Sequence, residues 1–156
     1  MEDNENRSRA KGPFFEKMLD QGYTEVENSK ISVLNLGQLR EIDPGVRILA
    51  GKNDATWAYS YRLFFSNGWG ASIIWGPCTY SDNHDIFHFM NPKPSENPEF
   101  VNDPLEVEIA IFDAEGEWAI GQIVNSDDHD GQVMGYVGGE RLMAILRTTA
   151  RMETQA

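Results

Sequence analysis

Aspartate and histidine residues form one cluster of this sequence with the composition of a metal site. Asp127, Asp128 and Asp130 surround His129, and carboxylate and imidazole groups are common metal ligands. A calcium-binding loop with its glycine at position 6 would need a bidentate glutamate at position 12, where the sequence has Val137. The pattern therefore favours a surface loop, in which aspartate and glycine supply the turn geometry.

His84 and His88 form a second candidate together with neighbouring aspartates. On one strand, the spacing of about 3.3 Å per residue separates the two rings by more than about 10 Å, which is too far for them to share one ion directly. A metal centre would require His129 to converge on them. A metal-dependent enzyme that uses these three histidines and the nearby aspartates is one alternative function.

Other signatures of catalysis do not occur in the sequence. It contains no glycine-rich phosphate loop, nucleophile elbow, zinc-protease pair or kinase signature. Cys78, the single cysteine, lies next to a proline at a predicted strand end and is interpreted as structural. We therefore expect a protein that is not an enzyme, with no catalytic residue, no metal and no cofactor.

Negative charge is concentrated in the second half of the chain. The net charge is −12, and residues 76–140 hold fourteen acidic residues and one basic residue. Such a field repels nucleic acid and anionic membranes and attracts basic surfaces. We therefore expect a protein partner with a basic surface, and neither direct nucleic-acid binding nor membrane binding. The acidic residues expected to contact it are Glu106, Glu108, Glu115, Glu117, Asp127, Asp128 and Asp130.

The length and the termini predict one soluble domain. A chain of 156 residues is large enough to bury one core without metal or disulfide support. We expect a single domain over residues 12–152, with flexible tails at residues 1–11 and 153–156. The lone cysteine, the polar start and the lack of an apolar run of about 20 residues predict a cytoplasmic protein.

A hairpin is the clearest structural signal. Apolar and polar residues alternate across residues 60–76 on both sides of Asn67 and Gly68, a pair that favours a two-residue type I′ turn with positive φ at both positions. Trp69 follows between two glycines. A residue at the tip of a hairpin is expected to be exposed, so we predict that Trp69 is a binding hot spot.

The remaining elements predict an α+β fold. A short helix is expected from Pro13, and a C-terminal amphipathic helix from Glu140. Residues 105–112 alternate with Leu105 inward, and a second hairpin is expected to continue from Trp118 to residue 124. Together these elements predict an antiparallel sheet of about five to seven strands, with the short N-terminal helix and the C-terminal helix packed on one face.

The hairpin motif also carries a resemblance. The motif N-G-W-G-A-S beginning at Asn67, preceded by the strand at residues 61–65, resembles a group of small uncharacterised bacteriophage proteins. The closing part is similar too, with an acidic loop at Asp127, a G-Y-V step at Gly135 and a helix at residues 140–152. The N-terminal third and a proline-rich insertion depart from that pattern. The resemblance implies a phage or prophage origin and a compact α+β fold, and it implies no known activity.

These observations lead to three functional hypotheses. The first is a phage accessory protein in the host cytoplasm that binds a host or phage protein, in its sharpest form an anti-CRISPR or anti-restriction inhibitor of a nucleic-acid-binding defence machine. The second is a homo-oligomeric structural or assembly module that pairs through the edge of the Trp69 hairpin. The third is the metal-dependent enzyme described above.

Overall fold

The computed structural model describes residues 14–52, 58–76, 79, 81, 104–124 and 132–153. In this part of the chain, six strands form one antiparallel sheet whose spatial order follows the chain. The strands are β1 (Thr24–Val26), β2 (Arg47–Lys52), β3 (Tyr59–Phe64), β4 (Gly70–Trp75), β5 (Glu106–Phe112) and β6 (Met134–Gly138). The helices are α1 (Phe15–Asp20), α2 (Leu36–Ile42) and α3 (Gly139–Ala150), with a 3-10 helix at Ile120–Gln122. The α+β prediction is confirmed.

Alternation along the strands gives the sheet two apolar faces of unequal size. Ile48 is paired with Leu63 across β2 and β3, and both belong to the main core together with α2 and α3. Leu49 points to the other face, where it clusters with Phe64 and Phe15 of α1. The expectation that both terminal helices pack on one face is therefore wrong. The reason is that Phe64 lies on the opposite side of the sheet from Leu63 and packs edge-to-face with Phe15, with 5.1 Å between the ring centroids.

The first hairpin is confirmed by the antiparallel pairing of β3 with β4, but its turn is not of type I′. Phe65 donates its N–H to the carbonyl oxygen of Trp69 at 2.9 Å, and Gly68 donates to the carbonyl oxygen of Phe65 at 3.0 Å. Gly68 has φ 89°, whereas Tyr136 is the only non-glycine residue of the described ranges with positive φ. The loop therefore has three residues and a left-handed glycine. Asn67 instead uses its side chain, which accepts the N–H of Trp69 at 2.9 Å.

The second predicted hairpin is mostly wrong. After the turn that follows β5, the chain makes one isolated bridge between Phe112 and Trp118 and then enters the 3-10 helix. The N–H groups of Gln122 and Ile123 donate to the carbonyl oxygens of Ala119 and Ile120, both at 3.0 Å, and these local hydrogen bonds end the strand while Ile120 is buried in the core. The strand that pairs with β5 on the side away from β4 is β6, which contacts residues 106–109 with one shift of register. Leu105, predicted to point inward, is 75% exposed because the sheet begins only at Glu106.

The two terminal helices follow their sequence signals closely. Gly22 has φ 97° and ends the segment that follows α1, as expected of a glycine past a helix. In α3 the buried residues include Leu142 and Leu146 on the predicted apolar face. Within the described ranges, no helix is long and apolar enough to cross a membrane. Cys78 and the tail at residues 1–11 lie outside those ranges.

Candidate functional site

An acidic turn at residues 113–118 lies directly after β5. Asp113 organises it, because one oxygen of its carboxylate accepts the backbone N–H groups of Glu115 and Glu117, both at 3.0 Å. Its own N–H donates to the carbonyl oxygen of Glu117 at 2.9 Å, and Gly116 donates to the carbonyl oxygen of Asp113 at 2.9 Å. The turn is therefore held by four short-range hydrogen bonds, and Glu115 and Glu117 point into solvent as exposed residues.

Trp118 closes the acidic turn and is 50% exposed. Its ring lies 4.9 Å from the ring of Phe112 in a tilted arrangement. Phe112 in turn packs edge-to-face with Phe14, with 6.5 Å between the ring centroids. A half-exposed tryptophan whose inner side rests on a buried aromatic ring has little rotational freedom to lose on binding, which is the situation of many interface hot spots.

Arg62 supports Phe112 from the sheet. Its guanidinium carbon lies 4.5 Å from the centre of the Phe112 ring, a cation–π geometry. Burial lowers the pKa of Arg62, and the nearby Tyr23 acts in the opposite direction. Its Nε atom is buried and has no hydrogen-bond partner, and no carboxylate of the described ranges forms an ion pair with it. The positive charge therefore lies behind Phe112 and Trp118, on the inner side of the acidic turn.

Glu106 and Glu108 are half-buried on β5 and do not join the acidic turn. They share the strand face of Phe112, because residues two apart on a strand point the same way. The six steps from Glu106 to Phe112, the last residue of β5, span about 20 Å at about 3.3 Å per residue. The four predicted glutamates thus form two separate pairs along β5, one on the strand and one in the turn beyond it.

The prediction that Trp69 is exposed is wrong. Trp69 is 6% exposed and belongs to the main core. The cover comes from the C-terminal end of α3, where the side-chain nitrogen of Asn67 donates to the carbonyl oxygens of Thr149 at 3.0 Å and Met152 at 2.9 Å. These contacts hold the hairpin tip against the helix, so Trp69 is a structural residue and not a surface one.

The other predicted site residues lie outside the described ranges. They are Asp127, Asp128 and Asp130 of the acidic loop and His84, His88 and His129 of the metal hypothesis. Among the residues that are described, no group of three or more histidine, cysteine, aspartate or glutamate residues is placed to hold a metal ion.

Sequence reasoning missed Trp118 as the exposed tryptophan of this surface. The signal was present in the sequence, because Trp118 follows a turn with Glu115 on one side of Gly116 and Glu117 on the other. Two charged residues beside a turn glycine resist burial. The sequence therefore favours exposure of Trp118, next to them, over exposure of Trp69. Trp69 has no charged neighbour of this kind.

No protein-family model, curated protein or solved structure matches the chain. The resemblance to phage proteins therefore stays a prediction.

Proposed function

We propose that the protein is a non-enzymatic phage accessory protein that acts in the host cytoplasm and binds a basic protein through the acidic turn. The observation that carries this proposal is the half-exposed Trp118, whose ring packs in a tilted arrangement against Phe112 beside the exposed Glu115 and Glu117. The partner class that fits is a nucleic-acid-binding host protein, such as a defence effector, with a groove that is basic and has an apolar pocket for one indole ring.

The turn is suited to binding because it is already ordered. Asp113 ties down the backbone of both glutamates, so few rotatable bonds of the main chain remain to be fixed in a complex. Preorganisation of this kind lowers the entropic cost of association. A tryptophan anchor supplies most of the contact energy, and the surrounding carboxylates accelerate encounter with a basic surface.

Glu106 and Glu108 have a different role in this proposal. Along β5, Glu106 lies about 20 Å and Glu108 about 13 Å from Phe112 at the spacing of a strand, both beyond the Debye length of about 8 Å at physiological ionic strength. They contribute to the negative field that attracts the partner, and they do not contact it where Trp118 does. This makes them a matched control for the glutamates of the turn.

The test is affinity capture from a bacterial lysate at low and high salt, with four versions of the chain and identification by mass spectrometry. We expect wild type and the Glu106→Gln, Glu108→Gln variant to capture the same basic protein at low salt. Trp118→Ala and the Glu115→Gln, Glu117→Gln variant should lose it. With the purified partner, Trp118→Ala should weaken binding by about 2 kcal/mol, or about thirty-fold.

Two results would contradict the proposal. One is a partner that Trp118→Ala still binds with wild-type affinity, which would exclude the acidic turn as the contact. The other is a partner whose binding does not change with salt or with removal of the glutamate charges, which would exclude the electrostatic part. Capture of no protein would also count against it.

The homo-oligomer hypothesis loses the feature on which it depended, because Trp69 is buried. Light scattering on Trp118→Ala discriminates between the two non-enzymatic functions. A partner-binding protein should keep its mass when the exposed indole is removed, whereas a module that pairs through this turn should dissociate.

A further inference from the structure

A cavity of about 710 Å³ opens at the end of the sheet opposite the acidic turn. Its walls come from the start of β1 and β3 and from the ends of β2 and β4. The acidic turn follows the end of β5, which pairs with the start of β4. The two features are therefore separated by the length of the sheet. The cavity lies in the size range of small-molecule sites, about 300–1,000 Å³.

Three aromatic residues of β3 and β4 form the inner wall. Tyr59 and Trp75 are cross-strand partners, and their rings stack at 5.7 Å with an angle of 18°. Tyr61 meets Trp75 edge-on at 5.1 Å, and its hydroxyl oxygen accepts the N–H of Lys30 at 2.9 Å. The wall is rigid because all three side chains are buried members of the main core.

A fourth ring depends on a glycine. Tyr23 lines the cavity, and its ring lies directly over the backbone of Gly51. A Cβ atom at position 51 would come within 2.9 Å of three carbons of this ring, closer than non-bonded carbons approach. Gly51 therefore allows the ring of Tyr23 to lie flat on the end of β2. Any side chain there would push the ring away. Tyr23 packs against the cluster of Phe15, Leu49 and Phe64, so its ring borders the cavity on the face of the sheet opposite Tyr59 and Tyr61.

The rim of the cavity differs in charge from the rest of the protein. Its charged residues are Lys30, Lys52 and Glu27, a net positive set in a chain whose net charge is −12. No acidic side chain of the described ranges forms an ion pair with Lys52. Burial raises the pKa of Tyr59 to about 12 and also raises that of Tyr61, so both phenols are neutral at physiological pH and add no negative charge.

We infer that this cavity is a binding site for a small planar aromatic anion. The ring system packs against the wall formed by Tyr59 and Tyr61, on the face of the sheet that carries Lys52, the cross-strand partner of Tyr59. The anionic group lies at the rim beside Lys52. A cationic ligand fits less well, although aromatic cages bind quaternary ammonium groups. The face of Trp75 is already covered by Tyr59, and the two lysines of the rim would repel a cation.

The test is calorimetric titration of the full chain with naphthalenesulfonate, together with two analogues of the same ring. Naphthalenesulfonamide is neutral and trimethylnaphthylammonium is cationic. We expect one equivalent of the sulfonate to bind and both analogues to bind more weakly. Binding of the cation as tightly as the sulfonate, or of no probe at all, would overturn the inference.

Variants place the probe in the cavity. Lys52→Gln should weaken sulfonate binding about five-fold, the upper range for one partly exposed charge pair, and should not change binding of the neutral analogue. The matched control is Lys17→Gln, because Lys17 is exposed on α1 and does not line the cavity. Equal affinity of wild type and Lys52→Gln for the sulfonate would contradict the assignment.

Gly51→Ala tests which face of the sheet holds the probe. It displaces the Tyr23 ring on the face opposite Tyr59 and Tyr61, so binding of the sulfonate and of the neutral analogue should not change, and weakened binding of both would contradict the assignment to the Tyr59 face. Because this variant also risks a loss of stability, the Lys52 result stands as the independent test. Trp118→Ala should leave probe binding unchanged, which separates this site from the acidic turn.

Discussion

Two turns at the same end of the sheet share one backbone pattern and differ in everything around it. In the turn at residues 65–69, the backbone N–H of the first residue donates to the carbonyl oxygen of the fifth. The N–H of the glycine at the fourth position donates to the carbonyl oxygen of the first. The turn at residues 113–117 repeats both bonds, and its glycine, Gly116, likewise has a positive φ, 84° against 89° for Gly68. The two turns also touch, since a Cβ atom on Gly68 would lie 3.2 Å from that of Ala114.

Their difference lies in what each turn is packed against. Asn67 of the first turn donates to the carbonyl oxygens at the end of α3, so this turn is part of the core boundary. The equivalent residue of the second turn is Glu115, which is exposed. The same local geometry is thus structural in one place and available for binding in the other. The backbone shape of a hairpin turn does not make it a functional site. The residues packed around the turn determine whether it is structural or available for binding.

The largest expected difference between the two turns is in their tryptophans. Trp69→Ala should lower the free energy of unfolding by about 3–5 kcal/mol, because it removes a large buried ring and leaves a cavity. Trp118→Ala should cost only about 1 kcal/mol, since half of the ring is already exposed and mainly its contact with Phe112 is lost. Urea denaturation of both variants measures the difference. Equal losses would mean that the second turn is as structural as the first.

The equivalent residues Asn67 and Glu115 should differ next. Asn67→Ala should lower the free energy of unfolding by about 2 kcal/mol, because it leaves the last carbonyls of α3 and the N–H of Trp69 without their partner. Glu115→Ala should change it by no more than about 0.5 kcal/mol, as for other surface residues.

Asn67→Asp identifies which half of the amide matters. The aspartate keeps an acceptor for the N–H of Trp69 but loses both donors, and it places a negative charge at the negative end of α3. We expect it to be at least as destabilising as alanine in thermal or urea unfolding. Wild-type stability in Asn67→Asp would show that the contacts with α3 do not hold the turn.

The smallest effect should separate the two ends of the sheet at high pH. Burial raises the pKa of Tyr59 from 10.0 to about 12, so the folded protein holds this proton more tightly than the unfolded chain. Below pH 10 both states are protonated and Tyr59 has no influence; as the pH rises towards 12, only the unfolded chain gives up the proton and stability falls. Tyr61 acts in the same direction, since burial raises its pKa too.

Tyr59→Phe provides the check. In denaturant titrations between pH 10 and about 12, the stability of this variant should fall less steeply with pH than that of wild type. Some pH dependence should remain, because Tyr61 is still present. An identical slope for both proteins would mean that Tyr59 ionises as easily in the folded state as in the unfolded chain. The acidic turn contains no tyrosine, so loosening in this range should begin at the cavity end.

Periodicity predicted the elements that depend on local pattern. The hairpin of β3 and β4, strand β5 and helix α3 all follow from the spacing of apolar residues, because one face of each must be buried. The same reasoning failed at Leu105 and after Trp118. There the pattern continues in the sequence, but the position of the first ladder bond and the burial of Ile120 decide where regular strand begins and ends.

The sites were less accessible to such reasoning. The glutamates of the acidic turn were identified from charge alone, yet their separation from Glu106 and Glu108 depends on the length and direction of β5. The cavity was not predicted, because its walls combine the ends of four strands, β1 to β4, that only the pairing of the sheet places side by side. Gly51 and Lys52 belong to no sequence motif. Their roles depend on the fold, which places Tyr23 against Gly51 and Tyr59 beside Lys52.

The sequence by itself determined the α+β class, the pairing of β3 with β4, the acidic character of the segment after β5 and the position of the last helix. These are properties of hydrophobic period and local charge, which act over a few residues. Only the tertiary structure decided that Trp118 is exposed and Trp69 buried, which face carries α1 and where a cavity opens. Those outcomes depend on packing between residues that are distant in sequence, such as Asn67 against α3. A local sequence pattern does not specify which distant residues will pack against it in the folded chain.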